Sequence, residues 1–264
     1  MRASSFVAGA ALLLAGCSNG INILLNNDDG FGSGNLRELY KLLKAAGHNA
    51  ACTFVALDYV LPNFGDFKIP DLVVTGPNYG TNVGPFVWTL SGTAGAAYAA
   101  TARSIPAIAT SGSNKAVAYT EVNSTTHPAA LVAAVAAKVV LGIIESVPTG
   151  GPILPLGYGM NVNIPPLTTN NTSPAIVQTR MTGNAEVDEA VPGETPGTFT
   201  WANIRPYAAG VNACYNGDCS LPGETYVVQN GKVSVSLYTV DYTAPTNGYT
   251  KSIMSRLKSL TSCS

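Results

Sequence analysis

The stretch that most constrains this chain is an apolar run near the N-terminus that ends abruptly in polar residues. Residues 21–25 are mostly apolar, and the segment 26–30 (Asn-Asn-Asp-Asp-Gly) follows directly. A short apolar run bounded by turn-forming residues is typical of a buried strand in a parallel sheet. Two adjacent carboxylates repel each other unless a cation or a proton relieves the repulsion. Open α/β sheets place ligands at the carboxyl ends of their strands, so the pattern predicts an α/β fold with a metal-assisted hydrolytic site at Asp28 and Asp29.

The composition favours a compact protein that does not bind nucleic-acid polymers. The chain has 264 residues, of which 46% are hydrophobic and only 11% are charged, against roughly 25% charged in typical domains. Its formal net charge is -1, which excludes the basic footprint that nucleic-acid binding requires. A small phosphate ester remains a compatible partner, because a local metal ion supplies positive charge.

The N-terminus has the pattern of a targeting segment. Arg2 precedes the apolar residues 6–16, and small residues follow, which predicts a signal peptide over residues 1–19 and a secreted protein. The sequence Leu-Ala-Gly-Cys at 14–17 also fits a lipoprotein cleavage box, with lipid attachment at Cys17 as the alternative. The apolar stretch 129–144 contains Lys138 and is interpreted as a buried helix, so we expect no membrane span.

The cysteines and the glycosylation sequons fit a secreted protein. Cys214 and Cys219 flank a Tyr-Asn-Gly-Asp turn and are expected to form a disulfide. Cys52 and Cys263 have no assigned partner. N-glycosylation sequons begin at three asparagines, Asn123, Asn170 and Asn171.

The pattern of apolar residues predicts an α/β core over residues 20–165, a β-rich part over 165–240 and a tail over 241–264. Helices are predicted at 36–46, 51–61, 91–102, 128–145 and, in the tail, 250–260. Strands are predicted at 21–25, 72–75, 105–110, 153–156, 159–165 and 233–238.

Two further segments of the core stand out, and the second is suited to phosphate binding. Residues 76–84 are rich in glycine and amides, and residues 91–97 are small. Ser91 and Thr93 lie where a helix is predicted to begin, and a helix N-terminus with nearby hydroxyls binds phosphate well.

These motifs, in this order, resemble the SurE survival-protein phosphatase/nucleotidase family, in a secreted, fungal-type acid-phosphatase branch. The resemblance implies a Rossmann-like three-layer domain with a mostly parallel sheet that hydrolyses phosphate monoesters, such as nucleoside monophosphates, with Mg²⁺ or Mn²⁺. It also implies that the protein forms a homo-oligomer. The implied metal ligands are Asp28, Asp29 and Asn78, with Asp28 as the candidate general base or water orienter. The implied substrate-binding residues are Asn27, Asn82, Ser91, Gly92 and Thr93.

The chain departs from the family pattern after its first helix. The family has a second strand there, then a loop with a metal-ligating Ser, then a β-hairpin. Here residues 46–50 run almost directly into the helix predicted at 51–61. The alternative function is therefore an inactive or truncated SurE-like protein, either a binding-only relic or the product of an incomplete gene model. Ser33 lies in a different loop and is not assigned as the missing ligand.

Each motif also has a purely structural interpretation. The two aspartates are compatible with a turn and a helix cap, the amides with Asx turns, and the hydroxyls with capping alone. His48 and His127 are interpreted as structural or surface residues, and the acidic residues 186–189 as a solvated run. No Gly-x-Ser-x-Gly motif is present, which disfavours a serine hydrolase, and no G-x-G-x-x-G follows the first strand, which disfavours a dinucleotide binder.

Overall fold

The protein was analysed as a computed structural model that describes residues 20–26, 28–29, 32–46, 56–112, 115–181, 188–203 and 219–257. The strands are β1 (Ile23–Asn26), β2 (Leu72–Tyr79), β3 (Ala107–Gly112), β4 (Tyr158–Ile164), β5 (Ile176–Thr179), β6 (Asp188–Pro192), β7 (Phe199–Asn203) and β8 (Val233–Thr239). The α-helices are α1 (Gly34–Ala45), α2 (Leu61–Phe64), α3 (Gly84–Leu90), α4 (Gly92–Ala102), α5 (Pro128–Glu145), α6 (Glu224–Gln229) and α7 (Gly248–Leu257). A π-helical turn, Ala56–Val60, precedes α2, and a 3-10 turn covers Tyr119–Glu121.

The described strands form one large sheet and one hairpin. The large sheet has six strands in the order β1-β2-β3-β4-β8-β5. Strands β1 to β4 are parallel to one another, β8 is antiparallel to β4, and β5 is parallel to β8. Strands β6 and β7 form the separate hairpin. The β-rich C-terminal part therefore contributes two strands, β5 and β8, to the same sheet as the N-terminal core.

Helices cover both faces of the sheet and produce two apolar cores. Ile23 and Leu25 point into the core beneath α1 and α5, whereas Leu24 points into the core beneath α2 and α4. Successive strand residues face opposite sides of a sheet, and a strand buried on both sides has no polar alternation. The arrangement confirms the predicted three-layer α/β fold with a mostly parallel sheet.

The long helix α5 is a core helix. Among the described residues it is the helix that is long and apolar enough to cross a membrane by length and composition. Its buried residues, among them Val132, Ala136 and Val140, pack in the core shared with α1 and the sheet. The prediction of a buried helix at this position is confirmed.

Several local predictions were wrong. Residues 153–156 form a bend and the start of a turn rather than a strand. Strand β2 continues to Tyr79, so Asn78 lies in a strand and not in the loop after it. Helix α3 begins at Gly84, inside the segment that we interpreted as a glycine-rich loop, and Pro85 occupies its first turn, where the missing N–H costs nothing. Of the helix predicted at 51–61, the described part is the π-helical turn and the start of α2.

Strand β1 is one edge of the sheet in the part of the chain that the structure describes. The family pattern implies a further strand after α1. The junction where it is expected, residues 47–55 with His48 and Cys52, lies outside the described residues. Its absence therefore stays a prediction from the sequence.

Some predicted surface features can be located. Asn123 and Asn170 are exposed, whereas Asn171 is half-buried and its amide donates to the Gly231 carbonyl at 3.5 Å. Cys219 is disulfide-bonded. Its predicted partner Cys214, the signal peptide 1–19 with Cys17, and Cys263 lie outside the described residues.

Candidate metal and phosphate site

The carboxyl ends of β1 and β2 bring the predicted site residues together. The two strands are parallel neighbours, with Asn26 paired to Thr75. Asp28 and Asp29 follow β1 directly and are exposed, and Asn78 lies near the end of β2. Because parallel strands end at the same edge of a sheet, the carboxylates and the amide meet there.

The backbone of β2 is bent just before Asn78. Its pairing with β3 shifts register between Thr75 and Asn78, and the Gly76–Pro77 peptide bond is cis. Gly76 has a φ of +92°, and a Cβ at this position would lie 2.0 Å from the Thr110 carbonyl oxygen. Only glycine fits at this position, because a Cβ would overlap the backbone of the neighbouring strand β3.

Thr93 links two of the predicted ligands. Its hydroxyl lies 2.5 Å from Oδ1 of Asp28 and 3.3 Å from Oδ1 of Asn78. The Thr93 side chain is fully buried. The backbone carbonyl of Thr93 accepts a hydrogen bond of 2.8 Å from the Thr75 hydroxyl. The start of α4 is thereby fixed to β2, with the Asp28 carboxylate at its N-terminus.

Gly92 allows Asp28 to approach the helix this closely. A Cβ at residue 92 would lie 2.6 Å from Oδ2 of Asp28 and 3.1 Å from its Cβ. The preceding residue, Ser91, is the N-cap of α4, and its hydroxyl accepts from the Ala94 amide at 3.0 Å. Ser91 therefore caps helix α4, in agreement with the structural interpretation of its hydroxyl given above.

Asp29 is tied to β2 through the backbone. Its Oδ2 accepts from the Tyr79 amide at 2.8 Å, directly next to Asn78. The Asn78 amide group in turn donates to the carbonyls of Tyr79 and Gly80, at 2.8 and 3.1 Å. The amide nitrogen of Asn78 thus points to its own loop, which leaves its oxygen on the side of Thr93.

The donor set fits a hard divalent cation. Two exposed carboxylates and one amide oxygen are held together through Thr93 and Tyr79. Oxygen ligands of this kind suit Mg²⁺, Mn²⁺ or Ca²⁺ better than Zn²⁺. The described residues contain no group of three or more His, Cys, Asp or Glu that could hold a metal ion, so the candidate site depends on two carboxylates and an amide oxygen.

Asn82 lies deeper than the prediction implied. It is buried, its amide donates to the Ser111 hydroxyl at 2.8 Å, and its backbone N–H donates to Oδ1 of Asn163 at 2.7 Å. The structure therefore places Asn82 in a buried hydrogen-bond network with β3 and β4. Asn27 lies outside the described residues.

Sequence reasoning missed Glu224, a fully buried acid at the start of α6. Burial raises the pKa of its carboxyl to about 7, opposed by hydrogen bonds from Gly84, Ser236 and Asn161. A six-residue helix has too little periodicity to be recognised in a sequence. The available signal was a single acid next to the apolar pair Val227 and Val228 in a chain with few charges.

A cavity opens beside the aspartates. It has a volume of about 290 Å³ and is lined by Asp29, Gly32, Ser33 and the segment 116–118. Two backbone hydrogen bonds hold its walls together, from Gly34 to the Val117 carbonyl and from Tyr119 to the Gly32 carbonyl, both 2.8 Å. The volume is close to the lower end of the roughly 300–1,000 Å³ typical of small-ligand pockets.

Comparisons with known proteins identify the family. A family model described as survival protein SurE matches residues 43–188, more than half of the chain. The chain therefore belongs to the SurE family. Asn78, Asn82 and the start of α4 lie within the matched stretch, and Asp28 and Asp29 precede it.

The alignments with curated relatives cover different fractions of each protein. An acid phosphatase of Yarrowia lipolytica is 42% identical over 205 residues, which cover 74% of this chain and 56% of that protein. A 5′-nucleotidase SurE of Sulfurovum sp. is 30% identical over 181 residues, which cover 55% of this chain and 66% of that protein. The chain thus spans about half to two thirds of the length of these curated relatives.

The fold comparison agrees with the sheet topology. The crystal structure of the SurE protein from Aquifex aeolicus superposes with a TM-score of 0.61 and 21% sequence identity. The superposition covers 90% of this chain and 99% of that one. At this identity the likeness establishes the fold.

Proposed function

We propose that this protein is a metal-dependent phosphomonoester hydrolase of the acid phosphatase or nucleotidase type. The observation that carries the proposal is the Thr93 hydroxyl, which holds Asp28 and Asn78 at the N-terminus of α4. The names of its relatives, an acid phosphatase and a 5′-nucleotidase, support the same reaction class. Phosphoryl transfer depends on charge neutralisation and an aligned water more than on a covalent nucleophile, and this site supplies oxygen ligands for both purposes.

Asp28, Asp29 and Asn78 would hold the cation, with Mg²⁺ or Mn²⁺ preferred. When bound, such a cation polarises a phosphoryl oxygen and acidifies a water molecule. Asp28 accepts the proton of the attacking water or orients that water, while Thr93 keeps its carboxylate in place. Ser91 occupies the Ala94 N–H, and the positive end of the α4 dipole stabilises the negative charge of the phosphate.

The cavity beside Asp29 is the proposed place for the organic part of the substrate. Its walls are small side chains and backbone, and its volume suits a small phosphomonoester such as a nucleoside monophosphate. A polymer of nucleic acid does not fit this proposal, because the chain has a formal net charge of -1.

The test is phosphate release from a panel of nucleoside monophosphates and p-nitrophenyl phosphate. We expect release with Mg²⁺ or Mn²⁺, no release after chelation with EDTA, and recovery when the metal is returned. A purified, folded protein that releases no phosphate with any divalent metal would disprove the proposal.

The second candidate is a binding-only relic or an incomplete gene model. It is favoured by a donor set one hydroxyl short of the family pattern and by the short connection between α1 and the turn at 56–60. Transcript reads across the codons of His48 to Cys52 distinguish the two. An additional exon at this junction would restore the full enzyme, whereas a contiguous transcript and an inert, metal-binding protein would establish the relic.

Secretion is proposed from features at the surface. Asn123 and Asn170 are exposed, and Cys219 is disulfide-bonded, as expected in an oxidising compartment. Protein recovered from the medium of a eukaryotic host should decrease in mass on treatment with an N-glycosidase. Retention in the cytosol without glycan would contradict secretion, and recovery with membranes through Cys17 would support the lipid anchor.

A further inference from the structure

A buried polar cluster lies beneath the segment that joins β2 to α3, and Glu224 is at its centre. The carboxyl group accepts from the Gly84 backbone amide at 2.8 Å through Oε2, and from the side-chain amide of Asn161 at 2.9 Å through Oε1. The same Asn161 nitrogen donates to the Asn82 carbonyl at 2.9 Å. Glu224 therefore contacts Gly84 directly, and it contacts Asn82 through the side chain of Asn161. These two residues are the ends of the segment Asn82–Gly84.

Burying a carboxyl group at this depth costs free energy, so its presence indicates a specific role. Glu224 has no exposed surface, and the groups that act on it are neutral: the Gly84 amide, the Ser236 hydroxyl and the Asn161 amide. Buried carboxyls without a paired cation are unfavourable, and apolar residues of similar size often stabilise a core better. The cluster thus points to a role in holding the segment rather than in stabilising the fold.

The held segment leads directly to the candidate metal site. Asn78 lies four residues before Asn82, and its amide nitrogen is bonded to the carbonyls of Tyr79 and Gly80. On the other side of the segment, Trp88 of α3 packs on Tyr238 of β8 with ring centroids 4.8 Å apart. The C-terminal part of the chain therefore fixes both the start and the middle of α3.

We propose that Glu224 is a positioning residue for the active site: it fixes the segment Asn82–Gly84 and, through it, the orientation of Asn78 toward Asp28. This inference rests on the proposed function, which gives Asn78 its role as a metal ligand. Glu224 touches neither the substrate nor the cation, and its effect passes through the backbone of residues 79–84.

Glutamine is a sharp probe of this role. Two N–H donors approach the two oxygens of Glu224, one from Gly84 and one from Asn161. Glutamine has nearly the same shape but offers a single acceptor oxygen, so one of these donors then faces an NH₂ group. The substitution Glu224→Gln should release one end of the segment while leaving the packing of α6 almost unchanged.

The experiment compares wild type with Glu224→Gln in three measurements. Amide exchange over residues 80–84 should become about tenfold faster, because local opening no longer breaks the hydrogen bond to Glu224. The Kd for Mn²⁺ should increase about tenfold, as for other groups that support metal ligands. The kcat should fall about tenfold or more with a smaller change in KM, because misplacement of a reacting group lowers the rate of the chemical step.

The matched control is Thr179→Val, which removes the hydroxyl that contacts Ser236 at 2.7 Å on the side of the cluster away from the segment. It should lower stability but leave the exchange of 80–84 and the Kd for Mn²⁺ unchanged. Unchanged exchange and Mn²⁺ affinity in Glu224→Gln would overturn the inference. If Glu224→Gln does not fold, Asn161→Ala takes its place, because it removes the link to Asn82 and leaves Glu224 on Gly84.

The proposed function and the role of Glu224 can be disproved independently of each other. A wild-type protein that is inert with every metal removes the proposed function, but exchange over residues 80–84 and Mn²⁺ binding still decide the role of Glu224. Conversely, an active wild type with an unaffected Glu224→Gln variant removes only this inference.

Discussion

Two carboxyl sites lie at the same edge of the sheet in opposite environments. Asp28 and Asp29 are exposed and held by a hydroxyl and a backbone amide, whereas Glu224 is fully buried among neutral donors. Water and a cation can reach the first pair, so its negative charge is available for chemistry. Burial favours the protonated form of Glu224, so this residue serves to hold its neighbours. A residue type alone therefore does not define a role; depth and partners do.

The largest loss of activity is expected when the exposed charge of Asp28 is removed. Asp28→Asn should lower kcat/KM by about a thousandfold or more, because it removes an anionic ligand and the acceptor of the water proton. Phosphate release with saturating Mn²⁺ measures the effect. Asp66→Asn removes the same charge from another exposed acid and should leave activity unchanged. A residual activity of Asp28→Asn within tenfold of wild type would show that Asp28 is not part of the reacting site.

The next largest effect is expected from crowding Asp28. In Gly92→Ala the new Cβ would lie 2.6 Å from Oδ2 of Asp28, so the carboxylate must move. We expect kcat/KM to fall about a hundredfold, as for misplacements near 1 Å. Gly95→Ala is the matched control in the same helix, since its Cβ would meet nothing within 4 Å. Equal activities of the two variants would contradict the close approach of Asp28 to α4.

A smaller loss is expected from the linking hydroxyl. Thr93→Val keeps the shape of the buried side chain but removes the donor to Asp28 and Asn78. We expect a decrease in kcat/KM of about tenfold to a hundredfold, because the Asp28 carboxylate loses the hydroxyl that orients it. Thr93→Ser retains the hydroxyl and should recover most of the activity. If serine is as poor as valine, the methyl group and not the hydroxyl is what matters at this position.

The buried carboxyl of Glu224 should also make the stability of the protein depend on pH. The native pKa of Glu224 is raised to about 7 from an ordinary value of 4.5, so the native state keeps a proton that the unfolded state loses. The free energy of unfolding of wild type, relative to Glu224→Gln, should fall by about 3 kcal/mol as pH rises from 4.5 to 7, and then level off. Urea unfolding of both proteins across this range measures the difference. Parallel pH curves for the two proteins would show that Glu224 is not buried in its protonated form.

The positions of the candidate site residues in the fold were more predictable from the sequence than the contacts that support them. The abrupt end of the apolar run at Asn26 and the capping pattern at Ser91 are local, and the rule that parallel strands end at one edge brings them together. The bend at Gly76 was not predictable, because it depends on the approach of Thr110 from a neighbouring strand. For the same reason the burial of Asn82 was not predictable, because its partners Ser111 and Asn163 lie on β3 and β4.

The division of the chain into a core and a β-rich extension was only partly informative. The alternating pattern of residues 233–238 predicted a strand, and β8 is that strand. It gave no indication that β8 would pair with β4, which lies well before it in the chain. Long-range pairing is decided by shape and burial across the whole domain, and a short helix such as α6 takes its position from that packing.

The contact between Glu224 and Gly84 joins residues that are 140 positions apart. At the roughly 5–20 residues per second at which chains are synthesised, the segment before α3 waits on the order of 7 to 28 seconds for its partner. During this interval the strands β1 to β4 can pair and Asn82 can bond to Ser111 and Asn163, but the Gly84 amide has no acceptor. The emerging chain can therefore pair β1 to β4 before α6 exists, and a truncation before α6, which also removes β8 from the sheet, should leave Gly84 without its contact to Glu224.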